Sequence, residues 1–226
     1  MPEFTIQGVR LNVPRQVASP RIYDRIREGM YENTEAKCAR RRIVEGDRVL
    51  ELGAGLGYVT TICARRAGAQ NVLSVEADPT MVEIIRGNLA LNSVEEVDLR
   101  HGAAVGETGG KSHVTFNVTA AFWASSLQDN GRGNQKTVDV PLLSVHDLMA
   151  EQKSTVVMMD VEGAEADMFD RPWPDHVRAV MMELHPKKFS PGTVKRIFDR
   201  LSQHGLAYDP EVSRGDVVCL SRDQEF

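Results

Sequence analysis

Val49-Leu50-Glu51-Leu52-Gly53-Ala54-Gly55-Leu56-Gly57, followed by Leu73-Ser74-Val75-Glu76-Ala77-Asp78-Pro79, decides the reading of this chain. The first stretch is an apolar strand running into a glycine-rich turn, with a helix expected over Tyr58–Arg66. Glycine carries no Cβ, so such a turn lets backbone N–H groups and a helix N-terminus come close to a ligand. The second stretch is the next apolar strand, and it ends in a carboxylate that can accept both hydroxyls of a ribose. Together they describe a nucleoside-binding site.

The glycine spacing selects the nucleoside. A dinucleotide fingerprint reads G-x-G-x-x-G and seats a pyrophosphate on the helix N-terminus. Here the run is Gly53-x-Gly55-x-Gly57, and Tyr58 stands where the third fingerprint glycine belongs. Glu51, just ahead of the turn, would repel a pyrophosphate and attract an ammonium group. That combination suits S-adenosylmethionine, which has an amino-acid tail, a sulfonium and no phosphate, over a nicotinamide cofactor.

Working outward, the pattern alternates strands (48–52, 71–76, 97–101, 155–160, 177–184) with helices (58–66, 79–91, 145–151, 163–169, 191–204). Asp78-Pro79 starts the helix over 79–91 with an N-cap and a preset first turn. Strands near 206–212 and 216–221 are too close in sequence for a parallel pair, so they form a C-terminal antiparallel hairpin. The expected fold is therefore α/β: a doubly wound, mainly parallel seven-stranded sheet of the class I methyltransferase, Rossmann-like type. Strands over His113–Val118 and Thr137–Val145 break the alternation as an inserted hairpin. The intervening loop, Ala120–Gln135 with Phe122, Trp123 and Arg132, is expected to shape an acceptor pocket. Residues 4–13 alternate as a small hairpin or a single bent strand, and helices follow over Arg21–Glu28 and Thr34–Ile43. One domain is expected over 1–226, with 1–46 covering the site and 47–226 as the cofactor-binding core.

The formal net charge of −5 weighs against a nucleic-acid or anionic-membrane partner, which would leave a basic footprint. Cys38, Cys63 and Cys219 lie far apart without metal-ligand spacing, as free thiols in a reducing compartment do. Met1-Pro2-Glu3-Phe4 lacks the basic and apolar regions of a signal peptide, and no apolar run approaches the about 20 residues of a membrane span. The expected location is the cytoplasm.

In doubly wound sheets ligands bind beyond the carboxyl ends of the strands. Beyond Glu51 and Glu76, those ends carry Ala103 and Ala104, small enough to border an adenine, then Asp160, Glu162 and Glu165, then Glu183 and His185. Alternate strand residues share a face, so Asp160 with Glu162, and Glu183 with His185, can pair. Asp160, Glu162 and His185 are the candidate proton acceptors, in no fixed order. Glu165 reads as a carboxylate in a first helical turn. Oxygen ligation of Mg²⁺ by Asp160, Glu162 and Glu183 is a minor variant. Carboxylates around a cationic cofactor account for the same residues, so no metal is assigned.

Gly29-Met30-Tyr31-Glu32, the Glu51–Gly57 turn, Glu76-Ala77-Asp78-Pro79, Asn88-x3-Asn92, Ala124-Ser125-Ser126-Leu127, Asp160-Val161-Glu162-Gly163-Ala164-Glu165 and Glu183-Leu184-His185-Pro186 resemble FkbM-type methyltransferases. The resemblance runs from about residue 29 to 186. Glu51 stands where that family often has Asp, and Met158 where it usually has Lys. It implies an S-adenosylmethionine-dependent O-methyltransferase acting on a hydroxyl of a sugar or secondary metabolite. Glu51, Gly53, Gly55 and Gly57 would then hold the methionine portion and Glu76 the ribose. Ala103 and Ala104 would border the adenine, Asp160 would stand beside the cofactor, and Tyr31 with Glu32 would close the site. The alternative from another class is a scaffold that binds the cofactor without turnover.

Overall fold

The computed structural model describes residues 2–118 and 136–222. The expected acceptor loop Ala120–Gln135, with Phe122, Trp123, Arg132 and the Ala124–Leu127 run, lies outside the described residues. Two short strands, β1 (Glu3–Ile6) and β2 (Val9–Asn12), pair as an antiparallel hairpin, and helices α1 (Pro20–Arg27) and α2 (Asn33–Arg42) follow. Ser19 caps α1 by accepting from the N–H of Ile22, ahead of Pro20 in the first turn.

The core begins with β3 (Val49–Leu52), α3 (Tyr58–Ala67), β4 (Val72–Glu76), α4 (Pro79–Leu91) and β5 (Asp98–His101). It resumes with α5 (Val145–Gln152), β9 (Val156–Met159), β10 (Ala179–Glu183), α6 (Pro191–Gln203), β11 (Ala207–Tyr208) and β12 (Val217–Ser221). The seven strands lie in the order β11-β12-β10-β9-β3-β4-β5. Neighbours from β10 to β5 are parallel, whereas β12 runs antiparallel to both β10 and β11. This is the class I methyltransferase fold. The closing reversed pair stands as expected, with β12 inserted beside β10.

Period-two alternation places two apolar cores on the two faces of this sheet. Val49, Val156, Met158, Ala179 and Met181 face one, shared with α2, α3 and α4; Leu50, Leu52, Val157, Met159, Val180 and Met182 face the other, shared with α5 and α6. Burial on both faces explains why these strands read as nearly continuous apolar runs. Truncating Leu50, which has no exposed surface, to Ala would cost about 2–5 kcal/mol by the usual transfer and cavity terms.

Two elements differ from the sequence reading. Ala103–Val105 is not a continuation of β5 but a separate strand, β6, which leaves the main sheet to pair in parallel with β8 (Lys136–Ser144). β8 pairs in turn with β7 (His113–Val118), giving the inserted hairpin a third strand. The helix expected over 163–169 is a single 3-10 turn, Glu165–Asp167. Glu162 and Gly163 hold φ of 53° and 105°, left-handed values that stop an α-helix from starting where the pattern placed it.

Candidate active site

Glu76 builds the centre of the site. At the end of β4, its Oε2 accepts from the N–H of Gly55 at 3.2 Å and its Oε1 from the N–H of Asp78 at 2.8 Å. One carboxylate thus clasps the glycine turn after β3 to the start of α4. Four lone-pair sites exist on a carboxylate, so two such bonds leave capacity for ribose hydroxyls. Burial pushes its carboxyl up to about 7, against the pull of the Asp78 and Gly55 N–H groups.

A cavity of about 470 Å³ opens beside this carboxylate, at the carboxyl ends of the strands. Of the residues expected from sequence, Tyr31, Gly53, Gly55, Glu76, Ala103, Ala104, Asp160 and Glu162 line it. Glu51, Gly57 and His185 are not among its described lining. Glu51 lies under the turn, 3% exposed, where its Oε2 accepts from the hydroxyls of Thr60 at 2.6 Å and Ser74 at 2.5 Å. Register explains this: Glu51 pairs with Ser74 across β3 and β4, so both point into the same face of the sheet. Burial raises the Glu51 carboxyl to about 7 in spite of those two hydroxyls. Gly57 caps α3 in the left-handed region, with a φ of 75°.

On the far wall, Asp160, Glu162 and Glu183 meet His185. The imidazole Nε2 lies 3.5 Å from both Asp160 Oδ1 and Glu162 Oε2, and Nδ1 lies 3.3 Å from Glu165 Oε1. Glu165 has no exposed surface and opens the 3-10 turn; its carboxylate accepts from the N–H groups of Val161 at 3.0 Å and Gly163 at 2.8 Å. Burial alone would lower the His185 pKa, but Glu165, Asp160 and Glu162 outweigh it and hold the ring up at about 9. Burial and the neighbouring Glu183 charge push Asp160 well above the usual carboxylate range.

Sequence reading missed Glu35, Phe116, Arg214 and Asp216, which also line the cavity. They come from α2, β7 and the segment before β12, and no spacing along the chain connects them. Phe116, 6% exposed, belongs to the small apolar cluster of Ala103 and Val140, forming a flat nonpolar wall.

These features fit S-adenosylmethionine. The carboxylate of Glu76 suits a ribose, the Ala103–Phe116 wall suits a purine, and the buried hydroxyl of Tyr31, without a partner, needs a polar group to meet it.

Residues 26–107 match the family model of the TRM5/TYW2 methyltransferase domain. The chain is 31% identical over 104 residues to a ribosomal protein L11 methyltransferase of Thermosipho africanus, covering 45% of this chain and 39% of that protein. It is 36% identical over 56 residues to the protein-lysine N-methyltransferase EFM3 of Chaetomium thermophilum, covering 25% and 17%. It is 38% identical over 64 residues to a probable ribosomal RNA small subunit methyltransferase A of Thermococcus onnurineus, covering 28% and 23%. The chain therefore spans less than half the length of each of these relatives.

These matches overturn the FkbM-type resemblance. They also overturn the expectations of O-methyl transfer and a small hydroxylated acceptor that came with it, and the exclusion of nucleic acid drawn from the net charge. The physical reason is that the glycine turn and Glu76 lie in the β3-α3-β4 units within the matched residues 26–107, away from any feature that selects the acceptor. The cofactor expectation survives for the same reason: the cavity and the matched methyltransferase domain agree on S-adenosylmethionine.

Proposed function

We propose that this chain performs S-adenosylmethionine-dependent methyl transfer to a nitrogen of a protein, the acceptor lying on a basic segment. The observation that carries this reading is the charge of the cavity wall. Glu32, Glu35, Glu76, Asp160, Glu162, Glu183 and Asp216 line it against only Arg25 and Arg214 among the described residues. A cationic side chain is drawn to such a wall, and a polyphosphate is repelled. Three free, buried thiols accord with a reducing cytoplasm.

The cofactor supplies a methyl carbon already activated by its sulfonium, so the protein's work is positioning and proton removal. Gly53 and Gly55 let the backbone approach the bound molecule, and Glu76 fixes it through the ribose. The carboxylates of Glu32 and Glu35 guide the ammonium of the acceptor inward. An ammonium must lose a proton before its lone pair can attack, and the carboxylates of the cavity wall are placed to take it.

The TRM5/TYW2 match and the ribosomal RNA relative favour a second reading, an RNA base as acceptor. Incubation with methyl-labelled cofactor, a basic ribosomal protein fraction and total RNA separates the two. The expected label is protease-sensitive, nuclease-resistant and stable to mild base, as an N-methyl group is. Nuclease-sensitive label would move the RNA reading to the front. Cofactor binding without label in either fraction would favour the non-catalytic scaffold.

A further inference from the structure

On the far wall of the cavity, the ends of β9 and β10 bring together Asp160, Glu183 and His185. Each offers a ligand atom within 4.8 Å of the other two. Three relationships set this group apart from an ordinary acidic patch.

The first is spacing. His185 Nε2 stands 3.5 Å from Asp160 Oδ1. A charge-assisted hydrogen bond closes to about 2.7–2.9 Å, so this contact is slack as a hydrogen bond. It is the separation of two atoms bound to one ion, because ligands about 2.0–2.2 Å from a tetrahedral metal stand roughly 3.3–3.6 Å apart.

The second is an unmet need. Asp160 Oδ1 is buried without a hydrogen-bond partner, beside the Glu183 carboxylate. Two half-buried carboxylates this close repel unless a proton or a cation lies between them. Tyr31, 4% exposed and with its hydroxyl also unpartnered, lines the same cavity.

The third is the support behind the imidazole. Its Nδ1, buried and without a hydrogen-bond partner, faces Glu165 at 3.3 Å, and Glu165 is fully buried and pinned by two backbone N–H groups. A carboxylate on the far nitrogen is how metal-binding histidines are oriented and made better donors.

We propose that Asp160, Glu183 and His185 bind a divalent transition-metal ion at the edge of the cavity, with Glu165 orienting the imidazole. A mixed imidazole and carboxylate set suits Zn²⁺ and its neighbours, whereas Mg²⁺ takes oxygens and waters. Glu162 stays outside the ligand set because Lys188 Nζ already neutralises it at 2.8 Å. This departs from the sequence reading, which assigned no metal. Metal binding here stands independently of the methyl-transfer reading.

The test is titration of the full chain, stripped by a chelator, with Co²⁺ alone. One equivalent should bind and give the visible absorption of a nitrogen- and oxygen-ligated ion, and Zn²⁺ should displace it. His185→Ala and Glu183→Gln should lose the signal, and Glu165→Gln should bind about 10–100-fold more weakly. Circular dichroism of each variant separates lost binding from lost folding. Absence of saturable binding by the wild-type chain at millimolar metal overturns the proposal. So does a folded His185→Ala variant that binds Co²⁺ as the wild type does.

Discussion

The Cβ that Gly53 lacks would fall 2.0 Å from the carbonyl oxygen of Asp160. The two residues end adjacent parallel strands, and the N–H of Asp160 donates to the carbonyl of Leu52 at 2.9 Å. Gly53 also holds a φ of 87°. The glycine turn and the wall carrying Asp160 are therefore one rigid unit, held at backbone contact.

Gly53→Ala combines a backbone collision with a left-handed φ, so it should cost about 2–4 kcal/mol and abolish S-adenosylhomocysteine binding. Gly87 is the contrast: it lies inside α4 with nothing within 4 Å of a built Cβ. Gly87→Ala should gain about 0.5–1 kcal/mol and leave binding unchanged. Urea unfolding paired with calorimetric titration reads both. Equal effects of the two substitutions would remove the special role assigned to Gly53.

Glu76 links cofactor affinity to pH. Ribose hydroxyls donate to an ionised carboxylate, and burial sets this one at about 7. S-adenosylhomocysteine affinity should rise from pH 6 to pH 8, and Glu76→Gln should flatten the rise while weakening binding tenfold or more. Stability of the free chain runs the other way. A folded-state pKa above the ordinary value of 4.5 contributes stability that is full below about 4.5 and lost as pH rises through about 7. Glu51, also raised to about 7 by burial, shares that stability trend but not the ligand contact. Glu51→Gln should therefore reduce the pH dependence of thermal unfolding and keep the inflection in binding.

Asn88 and Asn92 join the N-terminal hairpin to α4. The N–H of Asn12 donates to Asn88 Oδ1 at 2.7 Å, and Asn88 Nδ2 donates to the carbonyls of Leu56 at 2.9 Å and Asn12 at 3.3 Å. Asn92 repeats the device one turn later, accepting from the N–H of Arg10 at 3.0 Å and donating to its carbonyl at 2.7 Å. Side-chain amides thus stand in for a neighbouring strand along β2. Asn88→Ala should cost about 2–3 kcal/mol, because it leaves buried backbone groups unpaired. Amide exchange in β1 and β2 should accelerate more than exchange in β3.

That pair shows where the sequence was legible and where it was not. Asn88-x3-Asn92 is visible as a spacing, yet the strand it serves lies 76 residues earlier, and nothing local names it. The run β3-α3-β4-α4 was readable because its signals are local: apolar strands, a glycine turn, a carboxylate and Asp78-Pro79. Helix α4 keeps the expected limits of 79 and 91 because Asp78 caps its start. The turn after β9 was misread because left-handed Glu162 leaves no pattern. β6 was missed because its partner, β8, is distant in sequence. The acceptor was misjudged because the resembling residues mostly lie in the local strand-end turns, while the charge of the wall emerges only when α2, β9 and β10 converge.

Tyr31 carries the last prediction. Its ring packs on Tyr58, centroids 6.1 Å apart and tilted by 53°, fixing the segment before α2 against α3. Its hydroxyl has no hydrogen-bond partner in the free chain, and burial followed by the Glu32 charge pushes its pKa well above the ordinary value. Tyr31→Phe preserves the ring contact and deletes only the orphaned oxygen. The free chain should be as stable as before or gain up to about 1 kcal/mol, since an unsatisfied buried group has been removed. S-adenosylhomocysteine should bind roughly 5–10-fold more weakly, the equivalent of one hydrogen bond of about 1–1.5 kcal/mol. Thermal melts with and without ligand separate the two effects. Loss of stability in the free chain would mean that the hydroxyl serves the fold, and unchanged affinity would place it away from the cofactor.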